Sequence, residues 1–405
     1  MPFSRRSLVA TLLTFLLVGV PQSATAQIAI QADTVYTMAG APIVDGVVLV
    51  RDGEIEQVGA ANDVAIPSGY QTLSTSVVTP GLIDAHSVVG LAGMYNTDAD
   101  QDQLDTSSPI QPELRAIDAY NAREELVAWI RDLGVTTVHT GHGPGAPVSG
   151  QTMIVKTNGT TMGTALVDST TMVAMTLGPS VERRFQSPGT RAKTVAMLRE
   201  HFIQAQTYRD RMQSDNPPTR DLGMEAMVRV LDGDVPALIT AHRHTEILSA
   251  LRLAEEFGFN LVLDGAAEAY MVLDEIRAAG IPVLVHPPMT RPGGEAANAA
   301  FTTAARLHEA GVPFAFQSGY EGYVPKTRVV LFEAAIATTN GLDRTAALEA
   351  LTIDAARILG LADRVGSLEP GKQADLVLYE GDPFEYTTRV CHVIIDGAIA
   401  SDTCR

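Results

Sequence analysis

The sequence predicts an α/β chain: a TIM-type (β/α)8 barrel carrying a small composite β-sandwich built from both chain ends. Three observations point there. Apolar strand-like runs alternate with helix-like segments through the middle of the chain. Short β-rich runs between turn signals fill residues 27–79 and return at 366–405. The 405 residues also exceed what one ordinary core serves, so one large barrel or two domains is required. A hydrophobic fraction of 46% is enough to fill such a core.

Taken in order, residues 1–26 read as a signal peptide. Arg5-Arg6 supplies a basic start, Leu8 to Val20 an apolar run, and Ala24-Thr25-Ala26 the small residues before a cut at Gln27. The run is too short for a membrane-spanning anchor. Ser4-Arg5-Arg6-Ser7-Leu8 also resembles a twin-arginine signal. The mature protein is therefore expected in the periplasm or outside the cell. Residues 27–79 form the first part of the sandwich, with strands at Thr34 to Met38, Gly46 to Val50 and Ile55 to Gly59.

The barrel is expected over residues 80–365. After the Pro80-Gly81 turn, Leu82-Ile83 opens strand one. A helix from about Glu113 to Leu133 leads to strand two, Gly134 to His139. Met153 to Lys156 and Met172 to Leu177 are strands three and four, followed by a long helix, Arg191 to Arg211. Strands five to eight are Ala237 to His242, Asn260 to Asp264, Ile281 to His286 and Pro313 to Gln317. Helices at Thr245 to Phe257, Ala267 to Ala279 and Ala297 to Ala310 separate them. Residues 366–405 return to the sandwich. Cys391 and Cys404, the only cysteines, face each other across its terminal hairpin, either bridged or as two thiols. A formal charge of −18 excludes nucleic acid and anionic membranes as partners.

The chemistry-bearing stretch is Thr79-Pro80-Gly81-Leu82-Ile83-Asp84-Ala85-His86-Ser87-Val88. Asp84 and His86 stand at i and i+2, so on a strand they share one face. The stretch resembles the first barrel strand of the metal-dependent amidohydrolase superfamily, whose motif reads P-G-L-I-D-x-H-x-H. The run Gly366-Ser367-Leu368-Glu369-Pro370-Gly371-Lys372-Gln373-Ala374-Asp375-Leu376 resembles that superfamily's closing signature. Among its branches the chain looks most like the imidazolonepropionase-like amidohydrolases.

The resemblance implies hydrolysis of a carbon–nitrogen bond by water bound to metal at the carboxyl ends of the strands. It implies ligands from strand one (two histidines), strand four (a carboxylated lysine), strands five and six (a histidine each) and strand eight (an aspartate). Here His86 and His242 are kept. Val88 replaces the second strand-one histidine, and Gly265 and Gly319 stand at the strand-six and strand-eight positions. Strand four has no lysine; Lys156 on the preceding strand would need a shifted register. The standard site cannot be built from these residues.

Other histidines, His139, His142, His244 and His286, cluster at the same strand ends. Two readings stay open. In one, the protein is a hydrolase with a reduced site: His86, His242 and His244 hold one divalent metal, zinc or manganese, or none is bound. Asp84 and His286 are then the catalytic candidates, and the ligand is a small amide or dipeptide-like molecule. In the other, it is a non-catalytic relative that binds a ligand or pairs with an intact homologous subunit. A homodimer is the simplest assembly. Asn96 to Asp102 mimics the opening of a calcium loop but lacks its glycine and late glutamate, so it reads as a solvated acidic loop.

Overall fold

The computed structural model describes residues 27–95, 97–320 and 329–405. The signal-peptide reading of residues 1–26 lies outside the described residues. The chain opens with β1 (Ile28–Val35), β2 (Ile43–Arg51), β3 (Glu54–Ala60) and β4 (Gln71–Pro80). There follow β5 (Leu82–Ser87), β6 (Val135–Thr140), β7 (Val148–Gln151), β8 (Met153–Lys156), β9 (Leu166–Asp168) and β10 (Val173–Thr176). Next come β11 (Ala237–Ala241), β12 (Leu261–Gly265), β13 (Val283–Val285) and β14 (Phe314–Phe316). The chain closes with β15 (Leu376–Tyr379), β16 (Val390–Ile395) and β17 (Ala398–Ser401).

Both chain ends do meet in one composite unit. Hydrogen bonding joins them as a single seven-stranded sheet, β17-β16-β15-β4-β1-β2-β3, in which β15 pairs antiparallel with β4. The β2–β3 end of the sheet also meets the segment leading into β15: Ile55 N–H donates to Lys372 O at 2.8 Å, and Ala374 N–H to Gly53 O at 2.8 Å. Ile28, Ile30, Val48, Val50, Val78, Leu376 and Leu378 pack one core cluster between them. Cys391 and Cys404 are bridged, which closes the terminal hairpin.

The middle of the chain is mixed α/β. Strands β10 to β14 pair in parallel, in the order the helices between them dictate. Each of these strands is buried along its whole length, which explains their unbroken apolar runs. A second sheet runs β5-β6-β8-β9. Two seams relate the sheets. The stretch from β7 to β8 crosses between them at Thr152, with β7 on β10 and β8 on β6. On the other side a lone parallel bridge joins Ser87 to Gly319. The arrangement is consistent with a TIM-type barrel, although the ladder is interrupted at these seams.

Two expectations are corrected. The third strand, β8, runs antiparallel, not parallel, to both its partners, β6 and β9. The helix expected from Glu113 spans only Glu125–Asp132. The preceding residues instead lie along β7, where Gln151 N–H donates to Leu114 O at 2.8 Å and Arg115 bridges Gln151. Among the described residues no helix is long and apolar enough to cross a membrane.

Candidate functional site at the strand ends

The strand ends of β5, β11, β12 and β14 bring together four groups that lie far apart in sequence. His86 is buried, and its Nδ1 lies 3.0 Å from Asp264 Oδ1. Asp264 is fully buried and accepts two further bonds, from Thr240 Oγ1 at 2.5 Å and Gln317 Nε2 at 2.8 Å. Burial alone would raise the pKa of Asp264. The adjacent His86, with the bonds from His86, Thr240 and Gln317, outweighs it and holds the carboxyl below its usual range. An ionised carboxylate only accepts, so the network assigns the proton of His86 to Nδ1. In the neutral ring the other nitrogen, Nε2, is a lone-pair acceptor, and it is buried without a hydrogen-bond partner among the described residues.

Tyr320 sits over this pair. Its ring centroid is 5.7 Å from that of His86, and its hydroxyl lies 2.8 Å from His242 Nε2. His86 and His242 thus face Tyr320 from two sides. On the opposite flank the His139 ring is 5.6 Å from His86. Its nitrogens are taken by Ala85 O and Thr152 Oγ1, each at 2.7 Å. Burial, then His86, pushes the His139 pKa down to about 3, so this ring is neutral.

The remaining candidates are placed elsewhere or otherwise engaged. Asp84 accepts from the backbone N–H and the hydroxyl of Ser318, and so holds β5 to the end of β14 rather than facing a substrate. Burial, partly offset by those bonds, pushes its pKa up to about 6. His286 has both nitrogens in use, at 3.0 Å from Pro287 O and 3.1 Å from Thr303 Oγ1. His244 does not join His86 and His242. Strand β11 ends at Ala241 and a helix, His244–Phe257, begins at once, so the i, i+2 rule fails and His244 turns outward. There its Nδ1 lies 2.6 Å from Glu268 Oε2. Lys156 is also displaced. Because β8 runs antiparallel, this end points away from the mouth, and its Nζ binds Asp375 instead.

A divalent metal, implied by the superfamily resemblance, does not fit the donors present. Val88 is fully buried apolar surface, and Gly265 and Gly319 offer no side chain. Among the described residues, Glu380, Cys391 and Cys404 form the sole group of three convergent His, Cys, Asp or Glu donors. Both of those sulfurs are consumed by the disulfide.

The two glycines have backbone reasons to be where they are. Gly265 has φ +76°, and a Cβ on it would stand 2.6 Å from His242 Cε1. Gly319 has φ +90°. A Gly265→Ala variant should therefore lose about 2–3 kcal/mol of stability, from left-handed strain together with overpacking against His242. Urea unfolding measures it, and an unchanged midpoint would show that the loop relaxes freely.

His142, just beyond β6, is buried with no hydrogen-bond partner on either nitrogen among the described residues. Burial, opposed by Asp105, pushes its pKa down to about 4. A free histidine titrates near 6.5, so between these values the unfolded chain binds the extra proton and stability falls with falling pH. A His142→Leu variant removes this loss without breaking a hydrogen bond. Between pH 6 and 4.5 it should gain about 1.4 kcal/mol on the wild type per pH unit. Parallel unfolding curves at all pH values would refute the assignment.

Sequence reasoning assigned no site role to Asp264, Gln317 or Tyr320. A carboxylate closing the apolar run Leu261-Val262-Leu263 was the available sign for Asp264.

Comparison with known proteins follows the same lines. The model of the amidohydrolase family matches residues 119–400. The chain is similar to an amidohydrolase of Thermotoga maritima of known structure: 32% identical, with a TM-score of 0.87, covering 92% of this chain and 99% of that one. It is 24% identical over 360 residues to the amidohydrolase tasK of Hapsidospora irregularis, covering 80% of this chain. It is 42% identical over 77 residues, 19% of the chain, to an imidazolonepropionase of Geobacillus kaustophilus. The chain spans 36% and 18% of the lengths of these last two relatives.

Proposed function

The chain belongs to the amidohydrolase family, and we propose that within it this protein is an exported hydrolase of a small amide or dipeptide-like substrate, working with a reduced site. The architecture proposed with it is the eight-stranded barrel over residues 80–365 with a sandwich from 27–79 and 366–405. Export is supported by the character of residues 1–26 and by the Cys391–Cys404 bridge, which belongs to an oxidising compartment.

One observation carries the catalytic reading: the buried Nε2 of His86, unpartnered among the described residues and aimed by Asp264. A base so placed takes a proton from water. The resulting hydroxide adds to the carbonyl carbon of the substrate, and the proton passes on to the leaving nitrogen. The C–N bond then breaks to give an acid and an amine. The Tyr320 hydroxyl lies 2.8 Å from His242 Nε2, and its ring packs against the same His86 ring.

The test joins elemental analysis of the mature protein to a panel of N-acyl amides, cyclic imides and dipeptides. Turnover of a panel member that persists after chelation, in a protein with far less than one metal per chain, is expected. One tightly held metal per chain, with turnover that follows it, would overturn the reading. His86 is only 1% exposed, which favours the second reading, a ligand-binding relative or a partner of an intact subunit. No turnover of any panel member, together with a melting point raised by one of them, would establish that reading instead.

A further inference from the structure

The network around Asp264 holds a second unsatisfied acceptor. Gln317 follows β14, two residues beyond Ala315, and Asp264 stands two beyond Val262 on β12. Ala315 and Val262 share one core cluster with Leu238 and Leu284, so strand alternation aims Gln317 and Asp264 inward at its upper end. Gln317 is fully buried. Its Nε2 donates to Asp264 Oδ1 at 2.8 Å and to Leu284 O at 2.9 Å, which uses both amide protons.

That pairing fixes which way the amide lies. Turned over, Gln317 would set its oxygen against a carboxylate and a carbonyl, two groups that only accept. Oε1 is therefore the free end, and it is buried without a hydrogen-bond partner among the described residues. His86 is built the same way about the same atom. Its Nδ1 grips Asp264 Oδ1, and its Nε2 is the buried end, unpartnered among the described residues. One carboxylate oxygen thus anchors two side chains, and each keeps a bare acceptor on its remaining polar atom. Neither satisfies the other, because neither has a proton to give. A bare buried acceptor is costly, so the pair calls for a molecule that donates twice. Water is the smallest that does.

We propose that Gln317 Oε1 and His86 Nε2 together hold the attacking water, one of its protons on each. His86 takes its proton, and the other stays on the oxygen and on Gln317, which turns a lone pair toward the substrate carbonyl. The oxygen adds to the carbonyl carbon, the proton on His86 passes to the leaving nitrogen, and the C–N bond breaks. The inference rests on the hydrolase reading and deepens it, by naming what aims the nucleophile.

The test replaces Gln317 with Met, which keeps the length of the side chain and removes the acceptor. With the best substrate of the amide and dipeptide panel, kcat should fall about 10²-fold with KM near wild type. The His86 proton, read by nitrogen NMR, should stay on Nδ1, since Asp264 still orients the ring. Methanol has a single O–H and satisfies only one of the two acceptors, so the wild type should prefer water as nucleophile. That preference, read as the ratio of acid to methyl ester formed, should drop about tenfold in Gln317→Met. A crystal structure of the wild-type mature protein, which needs no variant to fold, should show one water within about 3.2 Å of both atoms. Absence of that water, undiminished turnover, an unchanged acid-to-ester ratio, or a proton moved to Nε2 would each overturn the inference and leave the hydrolase reading standing. No turnover of any panel member by the wild type would sink the hydrolase reading, and this inference with it.

Discussion

Replacing Lys156 with Met should cost the fold about 3–5 kcal/mol, the usual penalty for leaving one member of a buried ion pair alone. Lys156 and Asp375 are both almost wholly buried, and Lys156 Nζ contacts Asp375 Oδ2, with Asp396 Oδ1 at 3.4 Å. The pair ties β8 in the central sheets to the first residues of the terminal sheet, beside the Pro80-Gly81 turn, where Gly81 N–H donates to Asp375 O at 2.8 Å. Without the ammonium, Asp375 keeps one bond, from Asp396 N–H at 3.0 Å, and faces the Asp396 carboxylate. Burial first, then Asp396, already raises its pKa. A raised folded pKa gives stability at low pH that is lost as pH rises, so the penalty should shrink toward pH 4 and grow above it. Adding Asp375→Asn to Lys156→Met should recover much of the loss, because the charge that cannot be buried is gone. Urea unfolding of the two single variants and the double checks this; additive losses would show that the pair is not coupled.

The same pair marks where the sequence stops being legible. Asp375 stands inside the closing run Gly371-Lys372-Gln373-Ala374-Asp375-Leu376, and the run was readable as the start of a terminal strand. Its partner, 219 residues away on a strand of unknown direction, was not. Runs such as Ala237–Ala241 and Leu261–Gly265 were legible because both faces of a central strand are buried and every position must be apolar or paired. A strand's own residues say nothing of its direction, so the reversal of Met153–Lys156 was out of reach. The segment ahead of Glu125 was misread because its carbonyls are claimed by β7, a tertiary decision that helix-like spacing does not announce.

At the site, His86 was legible from its strand and its motif. His244 was misplaced because strand alternation ends at Ala241 and His244 already opens a helix. Gly265 and Gly319 were read as missing ligands. The backbone adds that both positions are left-handed, and that a side chain at position 265 would strike His242. Restoring the ligands one by one would therefore not restore the site. Beside Gly265 stands a carboxylate, Asp264, bonded to His86.

Replacing His86 with Gln should lower turnover by about 10²- to 10⁴-fold, the range a positioned general base contributes. Asp264 acts through His86, as a positioning residue. An Asp264→Asn variant keeps the volume and can still accept from Thr240, but an amide can present its NH2 to His86 Nδ1. The ring would then carry its proton on Nε2, the nitrogen that must be unprotonated to work. Turnover in Asp264→Asn should thus fall nearly as far as in His86→Gln, with KM close to wild type in both. The double variant should be little worse than either single one, since the two groups act as a unit. Nitrogen NMR of His86 gives the readout that a merely structural role would not move: proton on Nδ1 in the wild type, on Nε2 in Asp264→Asn. A wild-type His86 protonated on Nε2, or losses that multiply in the double variant, would remove Asp264 from the mechanism. Full activity in His86→Gln would remove the couple altogether.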